Sequence, residues 1–249
     1  MSGHSKWATI KRAKGVNDAK RGAIFTRLSR EIILAAKQGG PDPNANFKLR
    51  LAIQRAKQNN VPNDNIERAI AKATGAGGDE ALEEITYEGY GPGGTAVLVA
   101  VLTDNRNRTV SEVRHQFTRA GGNLGETGSV AWQFEPKGVI TVPLVNADAD
   151  DVALAAIDAG AEDIDPQTDI VEVQTAPSDL EQVRKKLEET GFTIENADFA
   201  MVPTNLIELD VKAAHQAMRL LEALEDLEDV QRVYSNVDFT DEVMASYAG

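Results

Sequence analysis

No cysteine occurs among the 249 residues. That absence removes disulfide frameworks, thiolate zinc sites, iron–sulfur ligation and cysteine nucleophiles together. Histidine is nearly as scarce: His4, His115 and His215 stand far apart in the chain without HExxH-type spacing, so neither a transition-metal site nor a histidine-driven nucleophile is expected. Long apolar runs are missing as well. The longest aliphatic stretch, Ala96 to Leu102, falls far short of the roughly 20 residues a membrane helix needs. The opening Met1-Ser-Gly-His-Ser-Lys-Trp7 contains no apolar signal core. Walker A, GxSxG and kinase-type signatures are absent too, and no Ser, His and Asp set is suggested by spacing. The expectation is a soluble, reducing-compartment protein in which no catalytic residue set, metal, cofactor or small-molecule substrate is indicated. Hydrophobic residues still make up 42% of the chain, which is enough to bury cores in two or three domains.

Acidic residues are scarce in one place only. Residues 1–78 hold 15 Lys and Arg against 5 Asp and Glu, a net of +10; the remainder holds 11 against 34, a net of −23, and the two sum to −13 for the whole chain. Such asymmetry marks either a polyanion-binding arm on an acidic body or two parts that attract each other. An acidic body also repels phosphate and so limits indiscriminate duplex binding.

The basic segment begins as an arm. Lys6, Lys11, Arg12 and Lys14 surround Trp7 with no apolar periodicity. Lysines neutralise phosphates while an indole stacks on an unpaired base; alternatively, Trp7 pins the arm to the helices behind it. From Ala19 the pattern turns helical after the capping residues Asn17 and Asp18. Ile24, Leu28, Ile32 and Ala35 share one arc, and Lys20, Arg27, Arg30 and Lys37 another. Gly39-Gly40-Pro41 stops this helix. A second is predicted over about Asn46 to Asn59, and a third from Pro62 and the box-like Asp64-x-x-Glu67 to near Gly75. Cations spread over all three helices favour contact with a nucleic-acid backbone over base readout.

After the linker Gly75-Ala-Gly-Gly78 the period becomes that of strands. Glu84 to Tyr90 and Thr95 to Thr103 flank a Gly-Pro-Gly-Gly turn. The formal GxGxxG match at Gly89 to Gly94 fails as a nucleotide site because a strand, not a helix, follows it. Thr109-x-x-Glu112 reads as a capping box for a helix ending at Gly121-Gly122, and Ser129 to Phe134 as a strand. Next comes a complete βαββαβ unit, the ferredoxin-like plan, and then one helix, Val211 to Leu224, and one strand, Asp229 to Val237. These last two finish the α+β domain interrupted by that unit. Arg106 and Arg108 precede a helix start whose free N–H groups favour anions; they either touch phosphate or are tied down by Asp104 and nearby acids. The glycine-dense loop Gly121 to Gly128 either permits close backbone approach or merely connects. The acidic run Glu222 to Asp229 either meets a basic partner or is solvated surface.

Gly3-His-Ser-Lys-Trp7, Asn17-Asp-Ala-Lys-Arg-Gly22, Tyr87-Glu-Gly-Tyr-Gly-Pro-Gly-Gly94, Asp104-Asn-Arg-Asn-Arg-Thr-Val-Ser-Glu-Val-Arg-His115 and Gly121-Gly-Asn-Leu-Gly125 closely resemble the YebC/PmpR family, over nearly the whole chain. The resemblance implies a cytoplasmic, non-enzymatic regulator of gene expression with three domains. It leaves open a DNA-binding transcriptional regulator acting at promoters and a translation factor, since mitochondrial relatives act as translational activators and bacterial members are assigned a ribosome-bound role easing synthesis of proline-rich stretches. The fold expected is α+β and multidomain: an N-terminal three-helix bundle with its arm (1–78), and two ferredoxin-like α+β domains, one (136–204) inserted in the other (79–135 with 205–249). Duplex DNA attracts only the first segment and repels the rest, whereas a ribosome offers RNA to the cations and basic ribosomal proteins to the acids; the translation reading is therefore preferred. The expected nucleic-acid contacts are Lys6, Trp7, Lys11, Arg12, Lys14, Lys20, Arg21, Arg27, Arg30, Arg106 and Arg108.

Overall fold

The computed structural model describes residues 18–75, 82–145 and 147–247. They fall into two compact units, one of residues 134–204 and the other of the remaining described residues.

The larger unit opens with three helices, α1 (Asp18–Gly39), α2 (Phe47–Gln58) and α3 (Asn63–Thr74). Helix α1 ends where Gly40 turns left-handed at φ +88°, a conformation glycine adopts without steric cost. Asn46 then does two things. Its side-chain oxygen accepts from Leu49 N and caps α2, while its Nδ2 donates to the carbonyls of Ala35 and Gly40, both at 2.8 Å. One buried amide thus fixes the α1–α2 corner. Leu28, Ile32, Leu49, Ala52, Ala56, Val61, Ile66 and Ala69 form the bundle core. The box expected at Asp64 and Glu67 is not a cap: Pro62 holds the cap position with no side-chain bond, and both acids lie inside the helix. Proline supplies a helix-ready φ and lacks the N–H that would need a partner there.

Strands β1 (Glu83–Tyr90) and β2 (Ala96–Thr103) pair antiparallel from Glu83↔Thr103 to Tyr90↔Ala96. The GxGxxG segment is their hairpin turn, with Gly93 and Gly94 at positive φ. Helix α4 (Arg106–Arg119) follows, and then a two-residue strand β3 (Asn123–Leu124) on the outer side of β1. The strand expected over Ser129 to Phe134 is instead a turn and a 3₁₀ segment, Ala131–Gln133; β-branched and aromatic residues there gave a strand-like pattern, but Glu88 draws that backbone into a turn. After the smaller unit the chain returns through β8 (Ile207–Glu208), α7 (Val211–Glu225), β9 (Val230–Ser235), β10 (Val237–Asp238) and the short α8 (Asp241–Ser246). The sheet order is β3-β1-β2-β9, and β8 pairs with β10 in parallel. Val97, Val99 and Val101 of β2 meet Val113 and Phe117 of α4 and Met218, Leu221 and Leu224 of α7 in one core.

In the smaller unit β4 (Phe134–Pro143), α5 (Ala149–Ala159), β5 (Asp163–Pro166), β6 (Ile170–Thr175), α6 (Leu180–Glu189) and β7 (Asn196–Pro203) build a four-stranded antiparallel sheet of order β5-β6-β4-β7. That is the split-βαβ arrangement.

Within the larger unit, one residue bonds to the chain on both sides of the insertion. Asn236, 2% exposed, donates from Nδ2 to Gln133 Oε1 at 3.0 Å, and its backbone carbonyl accepts from Ile207 N at 2.8 Å. Its Oδ1 accepts from Ala96 N at 2.9 Å. Replacing Asn236 with Ala removes the side-chain bonds to Gln133 Oε1 and Ala96 N while the backbone bond from Ile207 N remains, so urea unfolding is expected to show a loss of about 1–3 kcal/mol; an unchanged midpoint contradicts the role.

Candidate nucleic-acid interface

The expected contacts Lys6, Trp7, Lys11, Arg12 and Lys14 lie outside the described residues, and Lys20 and Arg21 are described only as backbone of the first turn of α1. Further along α1 the geometry turns inward. Arg27 and Arg30, expected on phosphate, sit beside the apolar arc and run onto the acidic segment after α7. Arg27 Nη1 donates to Glu225 O at 3.4 Å; burial lowers its pKa, against the pull of Glu225 and Glu31. Arg30 pairs with Asp229 at 2.6 Å and Glu228 at 3.5 Å. Glu31 returns the exchange by receiving Arg232 at 3.3 Å and Arg55 at 2.8 Å, while its burial raises its pKa in spite of Arg232 and Arg27. The acidic run thus finds its basic partner in the same chain.

Asp229 is the centre of this contact. Its side chain is 1% exposed. It accepts from Arg30 Nη1 at 2.6 Å, Arg108 Nη2 at 2.7 Å, Thr109 Oγ1 at 2.6 Å and Thr103 Oγ1 at 3.0 Å. Burial alone raises a carboxyl pKa, yet the bonds from Arg108, Thr109, Arg30 and Thr103 together hold this one below the usual carboxylate range. Thr109 is therefore not the helix cap its spacing suggested: the cap is Asn105, which accepts from Arg108 N at 3.1 Å. Arg108, the second expected phosphate contact of this loop, is committed to Asp229 and to Asp104 at 2.9 Å. Arg106 is exposed, and its carbonyl accepts from the Tyr87 hydroxyl at 3.4 Å.

Other cations of the bundle face solvent. Lys37, Lys48, Lys57, Arg68 and Lys72 are exposed on α1, α2 and α3, whereas Arg50 lies over the Phe47 ring at 5.3 Å and donates to Pro43 O. Lys48, Lys57, Arg68 and Lys72 are absent from the expected contacts, although the spread of cations over all three helices is legible in the sequence.

A second carboxylate shapes the glycine loop. Glu88, 5% exposed, accepts from the backbone N–H groups of Gly128, Val130 and Ala131 at 2.7–2.8 Å. Burial works to raise its pKa, but these three donors prevail and lower it. Tyr90 OH donates to Ser129 O at 2.9 Å, and Trp132 Nε1 donates to the same carbonyl at 3.1 Å. The loop consequently carries Trp132 70% exposed, an aromatic that the strand reading of this segment concealed. A groove of about 500 Å³ between α4 and α7 sets Arg119 and Arg219 against Glu222 and Asp226. Next to it, burial and Glu222 push the Tyr247 hydroxyl up to about 12. Among the described residues no group of three or more His, Asp or Glu is placed to hold a metal, and no helix is long and apolar enough to cross a membrane.

Neutralising Asp229 as Asn leaves Arg30 and Arg108 facing a group that no longer balances them, and about 3 kcal/mol or more of stability is expected to go. Because the folded pKa of Asp229 is depressed, its contribution is present above the unfolded carboxyl value of about 3.9 and is lost as pH falls through the folded value. Urea unfolding across that acid range should therefore show a steeper loss for the parent protein than for Asp229→Asn; parallel curves refute the assignment.

Residues 5–76 match the TACO1/YebC protein N-terminal domain, and residues 82–237 the TACO1/YebC second and third domain. A protein of Dehalococcoides mccartyi named probable transcriptional regulatory protein is 57% identical over 247 residues, 99% of this chain and 98% of that one. One of the same name from Rubrobacter xylanophilus is 54% identical over 250 residues, covering both chains in full. A crystal structure of a conserved hypothetical protein from Aquifex aeolicus superposes with a TM-score of 0.83 at 47% identity, over 89% of this chain and 91% of that chain. With both segments matched and the fold shared, the chain belongs to the TACO1/YebC family.

Proposed function

We propose that this protein is a non-enzymatic, cytoplasmic, nucleic-acid-binding regulator of gene expression, and that its target is RNA on the ribosome, where it eases synthesis of difficult, proline-rich stretches. The observation that carries the reading is the segregation of charge. A net of +10 in residues 1–78 stands against 4 basic and 16 acidic residues, a net of −12, in residues 134–204 alone. The phosphate contacts assigned are the arm residues Lys6, Lys11, Arg12 and Lys14 with Trp7 stacking, then Lys20 and Arg21, joined by the exposed Lys48, Lys57 and Arg68. Arg106 is a subsidiary contact. Arg27, Arg30 and Arg108 orient the bundle instead, since their guanidinium groups are engaged by Glu225, Asp229 and Asp104.

A second reading, binding to promoter DNA, is favoured by the name probable transcriptional regulatory protein that the relatives carry. Helix α3 offers Asn63, Asn65 and Arg68 in its first turns, the residue types that read base edges. Against it, the cations are dispersed over three helices, which suits backbone contact, and the −12 unit repels a long duplex.

Engagement of about six phosphates predicts a slope of log K against log salt of about −4 on single-stranded RNA and about −5 on duplex DNA. Lys11→Glu, Arg12→Glu, Lys48→Glu and Lys57→Glu are each expected to reduce the duplex slope by about one and to weaken all sequences alike, with no change in thermal midpoint. Arg30→Ala is expected to lower the midpoint instead. Co-sedimentation with ribosomes through sucrose, abolished in the arm variants, is the outcome the translation reading requires; a sharp footprint on one promoter at physiological salt, without ribosome association, decides for DNA.

A further inference from the structure

Helix α5 of the smaller unit is built on two faces that do not match its surroundings. Val152, Ala156 and Ala159 are buried against the sheet. On the side opposite them, Leu154 and Ile157 are 62% and 61% exposed, and the exposed Asp150 and Asp158 stand on either side. The spacings Asp150–Leu154, Leu154–Ile157 and Leu154–Asp158 are four, three and four residues, so these side chains form one continuous strip. Asp150, in the first turn, suits the helix dipole; Leu154, Ile157 and Asp158 do not serve the helix. Exposed leucine and isoleucine forgo the stabilisation that burial of their side chains would give. Asp158 lies in the last turn, where the helix dipole favours a cation, and Lys186 already donates to the terminal carbonyl of Ala159 at 3.3 Å.

The charge around the strip selects its occupant. Of the four basic residues among residues 134–204, Lys137 pairs with Glu135 and Glu162, Arg184 with Glu188, and Lys185 with Glu181; Lys186 is the donor just described. The sixteen acids of the unit therefore far exceed what it neutralises itself. Nucleic acid and anionic lipid are repelled, and a second copy of the strip brings like charge against like. We infer that the outer face of α5 is a docking surface for a lysine- and arginine-rich protein segment with interleaved aliphatic residues. Cationic heads would meet Asp150 and Asp158 while aliphatic stems and side chains cover Leu154 and Ile157, and the surrounding field would speed encounter. The inference shares with the proposed function the −12 charge of residues 134–204, but not the cations of residues 1–78 on which the nucleic-acid contacts rest.

The test uses the full-length protein and a fluorescein-labelled amphipathic peptide made only of lysine and leucine, followed by anisotropy. The double variant Leu154→Ser with Ile157→Ser is expected to weaken binding at least about tenfold while circular dichroism and thermal midpoint hold or improve. Asp150→Asn with Asp158→Asn should weaken it and flatten its salt dependence. Glu188→Gln with Glu189→Gln, on α6, serves as the charge control and should change little. Equal loss in that control, or unaltered binding in the serine variant, overturns the proposal as attraction to net charge alone. Sedimentation showing a dimer of the parent protein that the serine variant dissolves overturns it in favour of self-association, and a single-stranded RNA that competes with the peptide for this strip overturns it in favour of nucleic acid. RNA affinity of the serine variant, measured alongside, reports on the arm separately.

Discussion

A single buried carboxylate organises the larger unit. Asp229 gathers Arg30 from α1, Thr103 from the end of β2, and Arg108 and Thr109 from α4, while its own carbonyl accepts from Leu102 N at 2.8 Å. The β2–β9 ladder shifts register between Ala100 and Val101, so that Val230 stands opposite Val101. A bulge of this kind re-aims the adjoining backbone, and here it accompanies the approach of Asp229 to the end of β2. Four donors, two of them charged, are what make a carboxylate tolerable at this depth. Removing any one donor weakens the case for burying the acid; removing the acid leaves Arg30 with Glu228 and Arg108 with Asp104 as their ion-pair partners.

The same contact divides the cations of the first three helices into two populations. Those on the inner flank of α1 are engaged about 200 residues away in the chain, Arg27 by the carbonyl of Glu225 and Arg30 by the carboxylate of Asp229, and Glu31 reciprocates through Arg232. Those on the outer surfaces keep their field. Part of the charge asymmetry is thus mutual attraction between bundle and body, and part stays exposed on the outer surfaces of the bundle. Composition counts charges; only the packing of α1 against the segment after α7 decides which ones are spent.

Legibility from sequence followed the range of the interaction. Helices bounded by local signals, such as Gly39-Gly40-Pro41 or the return of apolar residues every third and fourth position, were readable to within a few residues, and the GxGxxG segment was correctly read as a hairpin turn because the following strand is itself a local pattern. Misreadings arose where a local pattern had a distant use. Thr109-x-x-Glu112 has the spacing of a capping box, yet Thr109 is turned toward Asp229, 120 residues on. Ser129 to Phe134 has strand-like residues, yet its backbone is bent around Glu88, about 40 residues earlier. No periodicity within either segment contains the partner. Arg27, Arg30 and Arg108 likewise find their partners at a distance in the chain, and the exposure of Trp132 follows from a turn that no local strand pattern contains.

Insertion of one unit into another demands that the host sheet close without it. Two polar residues meet that demand from opposite sides of the junction. Glu88 converts three otherwise unpaired N–H groups into a fixed turn just before the outgoing strand β4, and Asn236 binds Gln133 on the way out and Ile207 on the way back. Both lie within or beside the host sheet, so the turn that carries Trp132 is fixed within the larger unit. A fixed turn has a consequence for surface chemistry. A tryptophan on a mobile loop would collapse onto the nearest apolar surface, while Trp132, with its indole N–H already bonded to Ser129 O, is held out with only its ring faces to offer. The side chains that fix the fold at this point also determine which part of it remains available for contact.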